Sequence, residues 1–337
     1  MPSPGAVPIG LVGYGRMGRF HGRTLQAVPE VEIVAVADSS PEALAAAHAD
    51  LGDIVTVDSA GELVAVDGIA AWLIATSTPS HPALVRMALT AGLHVLCEKP
   101  LALDPAEAGR LAERAAAAGR ILQVGFWRRF SPPWMEAKRL VRGGAIGRPL
   151  LVRLSQWDAN PPPPQFCDPA VSGGLTVDCG VHEFDLVPWL TGLDVVAVRG
   201  HHLPLVDAAV EAAGDVDNMV AVLELTGGAL ATVDLSRNAR YGDDVRTEIL
   251  GSDGAVFVDI LPTGRTRLAD ANGVRVVAGS EVADATAAGV ANQARVFAAA
   301  VGGAAADYPS AAASTAAVRV ARAVEAAAAS GDAVPIA

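Results

Sequence analysis

Apolar and polar positions alternate in two different ways along the chain. From Val7, short β-branched runs alternate with stretches of helical spacing, beginning with VPIGLV, a glycine-rich turn, a helix and a second strand in VEIVAVAD. The alternation continues through PEALAAAHADLG, the short strand Ile54–Val57, GIAAWLIAT, HPALVRMALTAG, LHVLCEKP, DPAEAGRLAERAAAAG and ILQVGF. This pattern predicts a doubly wound parallel sheet, which binds ligands at the carboxyl ends of its strands.

After Phe126 the pattern changes to strict alternation within runs joined by short turns. Eight strand candidates follow: LLVRLSQW, VVAVRGHH, NMVAVLEL, ALATVDLS, VRTEILG, AVFVD, GRTRLAD and GVRVVA. They predict an open, mainly antiparallel sheet. The helices available to cover one face are GVHEFDLVPWL and the alanine-rich stretches near 286–301 and 311–329. We therefore predict an α/β domain over 1–125 and an α+β domain over 126–337.

Composition narrows the classes of function. The chain has 337 residues, 51% of them hydrophobic, which is enough for two hydrophobic cores. Its 25 basic and 37 acidic residues give a net charge of −12, which opposes nucleic-acid binding and favours a small-molecule partner. No apolar run has membrane length and the first residues carry no export-signal pattern, so we expect a cytoplasmic protein. The cysteines Cys97, Cys167 and Cys179 are far apart and are expected to be reduced.

The first candidate site is a glycine-rich turn between the first strand and its helix. Gly13-Tyr14-Gly15-Arg16-Met17-Gly18 has dinucleotide-binding spacing, and Asp38 ends the next strand 20 residues after Gly18. The glycines permit a tight bend, close approach of a pyrophosphate and helix packing, while the carboxylate accepts from ribose hydroxyls. Because Ser39 and Ser40 follow Asp38 where a basic residue would bind a 2′-phosphate, NAD is predicted in preference to NADP.

The second candidate site is Cys97-Glu98-Lys99-Pro100, at the end of a predicted strand. Lys99 is one of only two lysines in the chain, against 23 arginines. Burial or a neighbouring cation can shift the proton equilibrium of a lysine, whereas an arginine stays protonated, so this lysine indicates chemistry. The alternative is a surface lysine before a turn proline.

The third candidate site is the segment SGGLTVDCGVHEFD. If a helix begins near Asp178, then Asp178, His182 and Asp185 lie at i, i+4 and i+7 and share one face. A carboxylate beside an imidazole fixes its tautomer and raises its basicity, as a general base requires. Two alternatives remain: a helix cap with a buried structural histidine, and a metal site of Asp178, His182 and Asp185 with His201 or His202 as a further ligand. We assign no metal to it.

These motifs together resemble one protein family. The succession GYGRMG, Asp38, ATSTPSHPALVRMALTAGLHVLCEKPLAL, QVGFWRRF and SGGLTVDCGVHEFD is similar to that of the Gfo/Idh/MocA family of glucose-fructose oxidoreductase-like enzymes, and most similar to its inositol 2-dehydrogenase branch. The resemblance extends from about Val7 to Val258. It implies an N-terminal Rossmann domain that binds NAD and a C-terminal substrate domain.

The resemblance also implies roles for single residues. The family's EKP lysine lies beside the nicotinamide and its DxxxH pair contacts the substrate, which implies catalytic roles for Lys99, Asp178 and His182. With the glycine-rich turn, the expected cofactor contacts are Gly13, Tyr14, Gly15, Arg16, Met17, Gly18, Asp38, Ser39, Thr76, Ser77, Thr78, His81, Glu98 and Lys99. The expected substrate contacts are Lys99, Trp127, Arg129, Trp157, Asp158, Asp178 and His182. A cis Lys99–Pro100 bond is also expected.

The implied reaction is NAD-dependent oxidation of a ring secondary alcohol of a cyclitol, such as myo-inositol, to the ketone. His182, oriented by Asp178, would take the hydroxyl proton, and Lys99 would stabilise the developing alkoxide. An NAD(P)-dependent sugar or keto-sugar oxidoreductase and a non-catalytic dinucleotide sensor remain as alternatives. Short-chain dehydrogenase chemistry is excluded because no tyrosine has a lysine four residues later, and the ligand set of zinc-dependent polyol oxidation is missing.

Two segments differ from the family pattern. Pro188 falls in the helix after His182, where relatives more often carry a polar or basic residue, and it removes a backbone hydrogen bond. The segment Trp157–Asn160 and the four prolines after it also differ from the inositol enzymes. Family members usually associate through the outer face of the antiparallel sheet, which implies a homotetramer or homodimer.

Overall fold

The computed structural model describes residues 5–159, 162–203, 205–260, 265–279 and 285–336. These residues form two compact units. The first contains the described residues up to Trp127 and the segment Val290–Thr315, and the second contains Arg128–Gly289 and the residues from Ala316 onward. The predicted boundary between residues 125 and 126 lies beside Trp127. The segment Val290–Thr315 also belongs to the first unit, so a single boundary along the chain does not separate the two units.

The first unit alternates strands and helices. Its elements up to Val124 are β1 (Val7–Val12), α1 (Arg16–Leu25), β2 (Val31–Ala37), α2 (Pro41–Leu51), β3 (Val55–Val57), α3 (Ala60–Val64), β4 (Ala71–Ile74), α4 (His81–Thr90), β5 (His94–Cys97), α5 (Pro105–Ala118) and β6 (Leu122–Val124). The six strands pair in parallel in the order β3-β2-β1-β4-β5-β6. The predicted doubly wound parallel sheet is therefore confirmed.

The core of the first unit includes one helix that was predicted to cover the antiparallel sheet. Ile9 and Leu96 of the sheet are fully buried, and they share a hydrophobic cluster with Val290, Ala294 and Phe297 of the helix at 285–301. Its apolar residues recur every three or four positions, which gives it one buried face. The expectation that this stretch covers the antiparallel sheet is wrong from residue 290 onward, because that face packs in the first unit.

The second unit contains the remaining elements. They are α6 (Pro132–Arg142), β7 (Pro149–Trp157), α7 (Pro164–Cys167), α8 (Pro169–Ser172), α9 (Gly174–Asp178), α10 (Gly180–Thr191), β8 (Val195–His202), α11 (Ala208–Ala212), β9 (Asn218–Leu225), β10 (Leu230–Ser236), β11 (Asp244–Gly251), β12 (Ala255–Ile260), β13 (Arg265–Asp270), β14 (Gly273–Gly279), the start of α12 (Ala285–Val301), most of α13 (Ala311–Ser330) and β15 (Val334–Pro335). All eight predicted strands of this part are present.

The nine strands of the second unit form one sheet in the order β14-β13-β12-β11-β7-β10-β9-β8-β15. Every pair is antiparallel except β7 with β10, so the predicted mainly antiparallel sheet is confirmed. Helix α10 packs on one face, where a Cβ at Gly180 would lie 3.2 Å from Leu235 of β10. Helix α13 covers β8, since its Val324 carbonyl would lie 2.5 Å from a Cβ at Gly200. Helix α10 continues through Pro188 to Thr191.

No helix within the described ranges is both long and apolar enough to cross a membrane.

Candidate active site

The predicted cofactor contacts lie at the carboxyl ends of four neighbouring strands of the first unit. The glycine-rich turn follows β1, Asp38 and Ser39 follow β2, Thr76–Thr78 follow β4, and Glu98 and Lys99 follow β5. Because these strands are parallel and adjacent in the order β2-β1-β4-β5, the sheet brings the four segments to one edge. From β1 the strand order runs to one side through β2 and β3 and to the other side through β4, β5 and β6. Doubly wound sheets bind their ligands at this switch point between β1 and β4.

The glycine-rich turn has the local geometry that close approach of a pyrophosphate requires. Gly13 has a φ of +88°, and a Cβ there would lie 2.9 Å from the Ala75 carbonyl oxygen. A Cβ at Gly18 would lie only 1.9 Å from the Gly13 carbonyl oxygen, so only glycine lets α1 pack this closely on the turn. A Cβ at Gly15 would meet no atom within 4 Å. The turn thus fits the phosphates of a dinucleotide, with Gly15 on the open side.

Asp38 is held at the end of β2 by backbone donors. Its Oδ2 accepts from the Tyr14 N–H at 2.6 Å and its Oδ1 accepts from the Ser40 N–H at 2.9 Å. The carboxylate is therefore fixed beside the glycine-rich turn, as ribose recognition requires. The Tyr14 ring is buried and its hydroxyl donates to Asp50, and burial with the Asp50 charge raises the pKa of Tyr14 to about 12. Tyr14 can therefore reach a cofactor through its backbone.

His81 links two segments of the cofactor edge. Its ring is buried, with Nδ1 2.9 Å from the Pro100 carbonyl oxygen and Nε2 3.2 Å from the Thr76 carbonyl oxygen. Burial lowers the pKa of His81, so the ring is neutral and donates to one of the two carbonyls at a time. The Lys99–Pro100 bond is cis, as the resemblance implied. His81 thus links the backbone that follows β4 to the backbone that follows β5. Its direct contact with a cofactor remains a prediction.

A buried pair next to Lys99 was not predicted from the sequence. Nε2 of His21, in α1, lies 2.6 Å from Oε1 of Glu98, and Oε2 of Glu98 accepts from the Lys99 N–H at 3.2 Å. Burial would raise the pKa of Glu98, but the hydrogen bond and charge of His21, together with Lys99, lower it below its ordinary value. His21 lies on the same buried face of α1 as Gly18 and Leu25. This helical spacing in the sequence could have indicated a buried histidine in need of a polar partner.

This pair gives a testable dependence of stability on pH. We expect Glu98→Gln to lower the free energy of unfolding at pH 7 by about 1.5–3 kcal/mol, because a charged hydrogen bond to His21 is lost. Since the folded-state pKa of Glu98 is lowered, its carboxylate stabilises the fold above the ordinary glutamate pKa and loses this effect as pH falls through the lowered value. Urea unfolding should therefore show a full difference at pH 7 and a smaller one in acid.

The control for this measurement is Glu113→Gln, at an exposed position of α5. It should change the free energy of unfolding by a few tenths of a kcal/mol at most. A Glu98→Gln difference that stays the same from neutral to acid pH would contradict the prediction.

In the second unit, the helix that carries His182 is α10, which begins at Gly180 as the segment GVHEFDLVPWL predicted. Asp178 is the last residue of α9, and α10 begins at Gly180 after Cys179. A helix therefore ends at Asp178 and does not begin there, while Cys179 keeps helical backbone angles (φ −87°, ψ −50°), so the common face of Asp178, His182 and Asp185 remains a prediction. His182 is buried in the first turn of α10. The predicted orientation of His182 by Asp178 remains a prediction.

The two arginines of the GFWRRF segment bind carboxylates of α10. Arg128 pairs with the fully buried Glu183 and donates to Gln156 Oε1 at 2.8 Å. Arg129 donates to both carboxylate oxygens of Asp185, with Nε to Oδ2 at 2.7 Å. Burial raises the pKa of Glu183 and of Asp185, and the adjacent guanidinium opposes the rise in each case. These pairs anchor the helix of His182, and the substrate contact of Arg129 remains a prediction.

The end of β7 lies next to the junction of α9 and α10. The Cys179 thiol is 3.4 Å from Asp158 Oδ2 and 3.9 Å from Asp178 Oδ2, and Gln156 Nε2 donates to Asp158 at 3.1 Å. Burial raises the pKa of Asp158. Trp157 is partly exposed and its Nε1 donates to Asp234. Asp158 thus lies on the α10 side of the sheet, whereas Trp157 shares the opposite, outer face with Leu151 and Arg153.

Other predicted positions are placed as follows. Trp127 packs against the hydrophobic cluster of the first unit. Asn160 and Pro161, in the loop that differs from the family pattern, lie outside the described residues. Within the described ranges, no group of three or more His, Cys, Asp or Glu side chains is arranged to hold a metal ion. Cys97, Cys167 and Cys179 are free thiols and are buried.

Comparison with known proteins identifies the class. Residues 7–126 match the family model described as the oxidoreductase family with an NAD-binding Rossmann fold, and residues 134–257 match the GFO/IDH/MocA C-terminal domain. The chain therefore belongs to the GFO/IDH/MocA family of oxidoreductases. The predicted family, oxidoreductase class and NAD cofactor are confirmed.

Particular relatives are inositol dehydrogenases. The chain is 36% identical to a myo-inositol 2-dehydrogenase of Thermotoga maritima over 79% of both chains. It is 33% identical to an NAD(+)-dependent scyllo-inositol 2-dehydrogenase of Bacillus subtilis over 78% of this chain and 77% of that protein. Among solved structures, scyllo-inositol dehydrogenase from Lactobacillus casei with bound NAD(H) and scyllo-inositol is similar with a TM-score of 0.83, at 25% identity over 98% of this chain and 99% of that one.

Proposed function

We propose that this protein is an NAD-dependent inositol dehydrogenase, which oxidises one ring CH–OH group of a cyclitol to a ketone. The observation that carries the proposal is the retention of Lys99 at the end of β5 and of Asp178 and His182 at the α9–α10 junction, in a chain that is 33–36% identical to two inositol 2-dehydrogenases. A lysine, an aspartate and a histidine together supply the proton transfer and the charge stabilisation that alcohol oxidation requires. A purely dinucleotide-sensing protein has no need of them.

The residues have the following proposed roles. When bound, NAD accepts a hydride from the carbinol carbon at C4 of its nicotinamide. His182 takes the hydroxyl proton as general base, Asp178 orients its ring, and Lys99 donates a hydrogen bond to the same oxygen as alkoxide charge develops. The backbone of Lys99 is fixed by Glu98.

Substrate recognition is proposed for the remaining predicted positions. Trp127, Arg129 and Asp158 are proposed to contact the neighbouring hydroxyls and ring faces of the substrate, whereas Trp157 lies on the outer face of the sheet and is not included. Asp158 supports this because its carboxyl is held by Gln156 and Cys179, so it can discriminate between hydroxyl positions without reorganising. These contacts decide which hydroxyl faces His182.

The first experiment measures NADH formation at 340 nm. The panel contains myo-, scyllo- and D-chiro-inositol, D-glucose, L-glucose and D-xylose, each with NAD and with NADP. We expect turnover of one or more inositols with NAD. Turnover of the sugars alone would replace the proposal with a sugar oxidoreductase, and silence with NAD binding intact would favour a keto-sugar substrate or a sensor.

Cofactor choice gives a second prediction. We expect Asp38→Asn to raise the KM for NAD by about 10- to 100-fold, because a charged acceptor for the ribose hydroxyls becomes a neutral one. The amide oxygen can still accept from the Tyr14 or Ser40 N–H, so the turn should keep its shape. Steady-state kinetics with both cofactors tests this, with the exposed Asp53→Asn as control. An unchanged ratio of NAD to NADP efficiency would contradict the role of Asp38.

We also propose that a second copy of this chain covers the outer face of the sheet in the second unit, giving a homodimer or homotetramer. Leu230 of β10 and Leu250 of β11 both pair with Leu151 of β7, so three leucines form a row across this face. Leu230 is 43% and Leu250 49% exposed in the single chain. Light scattering on a sizing column should give a multiple of 34.3 kDa, and a monomeric mass would reject the proposal.

A cytoplasmic location is part of the same proposal. Three buried free thiols support it, since proteins of oxidising compartments more often pair their cysteines.

A further inference from the structure

A buried arginine lies directly behind the proposed catalytic carboxylate. Arg237 follows β10, its side chain is 1% exposed, and its backbone N–H donates to the Asp217 carbonyl at 2.9 Å. Its Nη1 donates to Asp215 Oδ2 at 2.7 Å, and its Nη2 lies 3.6 Å from Asp178 Oδ2. One guanidinium thus joins two carboxylates that lie 37 positions apart in the sequence.

Asp215 connects Arg237 to the start of α9. Both of its carboxylate oxygens accept from the Leu175 N–H in the first turn of α9, at 3.0 and 3.1 Å. Gly174 has a φ of +77°, and a Cβ there would lie 2.7 Å from Asp215 Oδ1. Asp215 can reach the helix only because residue 174 is glycine. The short helix α9 is therefore held at its start by Asp215 and at its last residue, Asp178, by Arg237.

The three charged groups differ in their exposure. The side chains of Arg237 and Asp215 are 1% and 5% exposed, whereas that of Asp178 is 20% exposed. Asp178 is therefore the member of this cluster that solvent reaches most easily. Nε and Nη2 of Arg237 have no hydrogen-bond partner among the described residues, so the guanidinium is not fully satisfied by its surroundings.

A cluster built in this way is poorly explained by stability alone. Removing a guanidinium and its partner carboxylates from water carries a large free-energy penalty, and buried ion pairs often contribute no net stability. A group that is desolvated at such a cost and directed at a partly exposed carboxylate is typical of functional preorganisation.

We propose that Arg237, fixed by Asp215, is a positioning residue that holds the Asp178 carboxylate in the orientation needed for proton removal from the alcohol. This inference rests on the proposed function, in which Asp178 orients His182. Arg237 itself is buried and does not touch the substrate. It acts on the reaction through the placement of Asp178 alone.

The test compares variants of Arg237 in the full-length enzyme. Because Arg237→Gln alone would leave Asp215 buried without a partner and could unfold the protein, the main variant is the double substitution Arg237→Gln/Asp215→Asn, which removes both charges and keeps hydrogen-bonding groups. We expect its kcat on the preferred alcohol of the panel to fall about 10- to 100-fold, as displaced catalytic groups cause. The KM for NAD should stay unchanged. Arg237→Lys, which keeps the cation, should recover part of the loss.

A kinetic isotope effect separates positioning from a structural role. With substrate deuterated at the carbinol carbon, slower chemistry should raise the isotope effect on kcat in the double variant. Loss of folded protein would lower the rate and leave the isotope effect unchanged. The control is Arg267→Gln/Asp259→Asn, which makes the same two changes at a more exposed ion pair of the second unit and should leave kcat unchanged.

The outcomes distinguish this inference from the proposed function. Wild-type silence on the whole panel would reject both. Wild-type turnover, with the double variant at wild-type kcat and isotope effect, would overturn the positioning role and leave the proposed function standing. Turnover that falls with an increased isotope effect supports the inference.

Discussion

His182→Ala is expected to lower kcat by about 10²–10⁴-fold, which is the contribution of a positioned general base. The hydroxyl proton must leave the alcohol as the hydride departs, and the variant has no group to take it at this position. His182 lies in the second unit, whereas the glycine-rich turn and Asp38 lie in the first, so NAD affinity should not change. Stopped-flow measurement of NADH formation, with titration of NAD binding by fluorescence, checks both parts.

The control for His182→Ala is His201→Ala, which changes an exposed histidine of the same unit. It should retain wild-type turnover and stability. A His182→Ala enzyme with wild-type turnover would remove His182 from the mechanism. Loss of NAD affinity together with kcat would indicate that the substitution disturbs the fold and not the proton transfer alone.

Arg128→Met is expected to destabilise the protein by about 3–5 kcal/mol, because it leaves a buried carboxylate without its cation. Glu183 is 0% exposed and pairs with Arg128, whose guanidinium also donates to Gln156. Burial raises the pKa of Glu183, and removal of the guanidinium removes the interaction that opposes this rise. Glu183 is next to His182 in α10, so the unfolding should also affect the site. Urea unfolding measured by tryptophan fluorescence gives the change.

Two further variants test the reason for this loss. Arg128→Met/Glu183→Leu removes both charges and should recover much of the stability, since apolar replacement of a buried pair is often neutral. Arg139→Met breaks an exposed pair with Glu136 on α6 and should cost less than about 1 kcal/mol. If the double variant is as unstable as Arg128→Met, packing and not the unpaired charge explains the effect.

Local chemistry explains why much of the first unit could be predicted from the sequence. A parallel sheet is buried on both faces, so its strands are short apolar runs, and the helices between them repeat their apolar residues every three or four positions. This pattern can be recognised without knowing which strands pair. The turn at Gly13 could also be predicted locally, because its positive φ and its close approach to Ala75 require glycine in any surroundings. Alternation likewise revealed all eight strands in the second unit.

The partners of buried polar groups could not be read in this way. His21 and Glu98 are 77 positions apart, and Arg129 and Asp185 are 56 apart. Periodicity shows that one face of a helix is buried and does not show which surface covers it. The helix at 285–301 demonstrates this, because its apolar face was visible but its position in the first unit was not.

Local pattern in the sequence was enough to predict the strands and most of the helices, the glycine-rich turn with Asp38, and Lys99, Asp178 and His182 as candidates for chemistry. The placement of Arg237 and Asp215 behind Asp178 became visible only in the folded chain. The physical reason is range: backbone preferences and hydrophobic periodicity act over a few residues, whereas burial selects charge partners from anywhere in the chain.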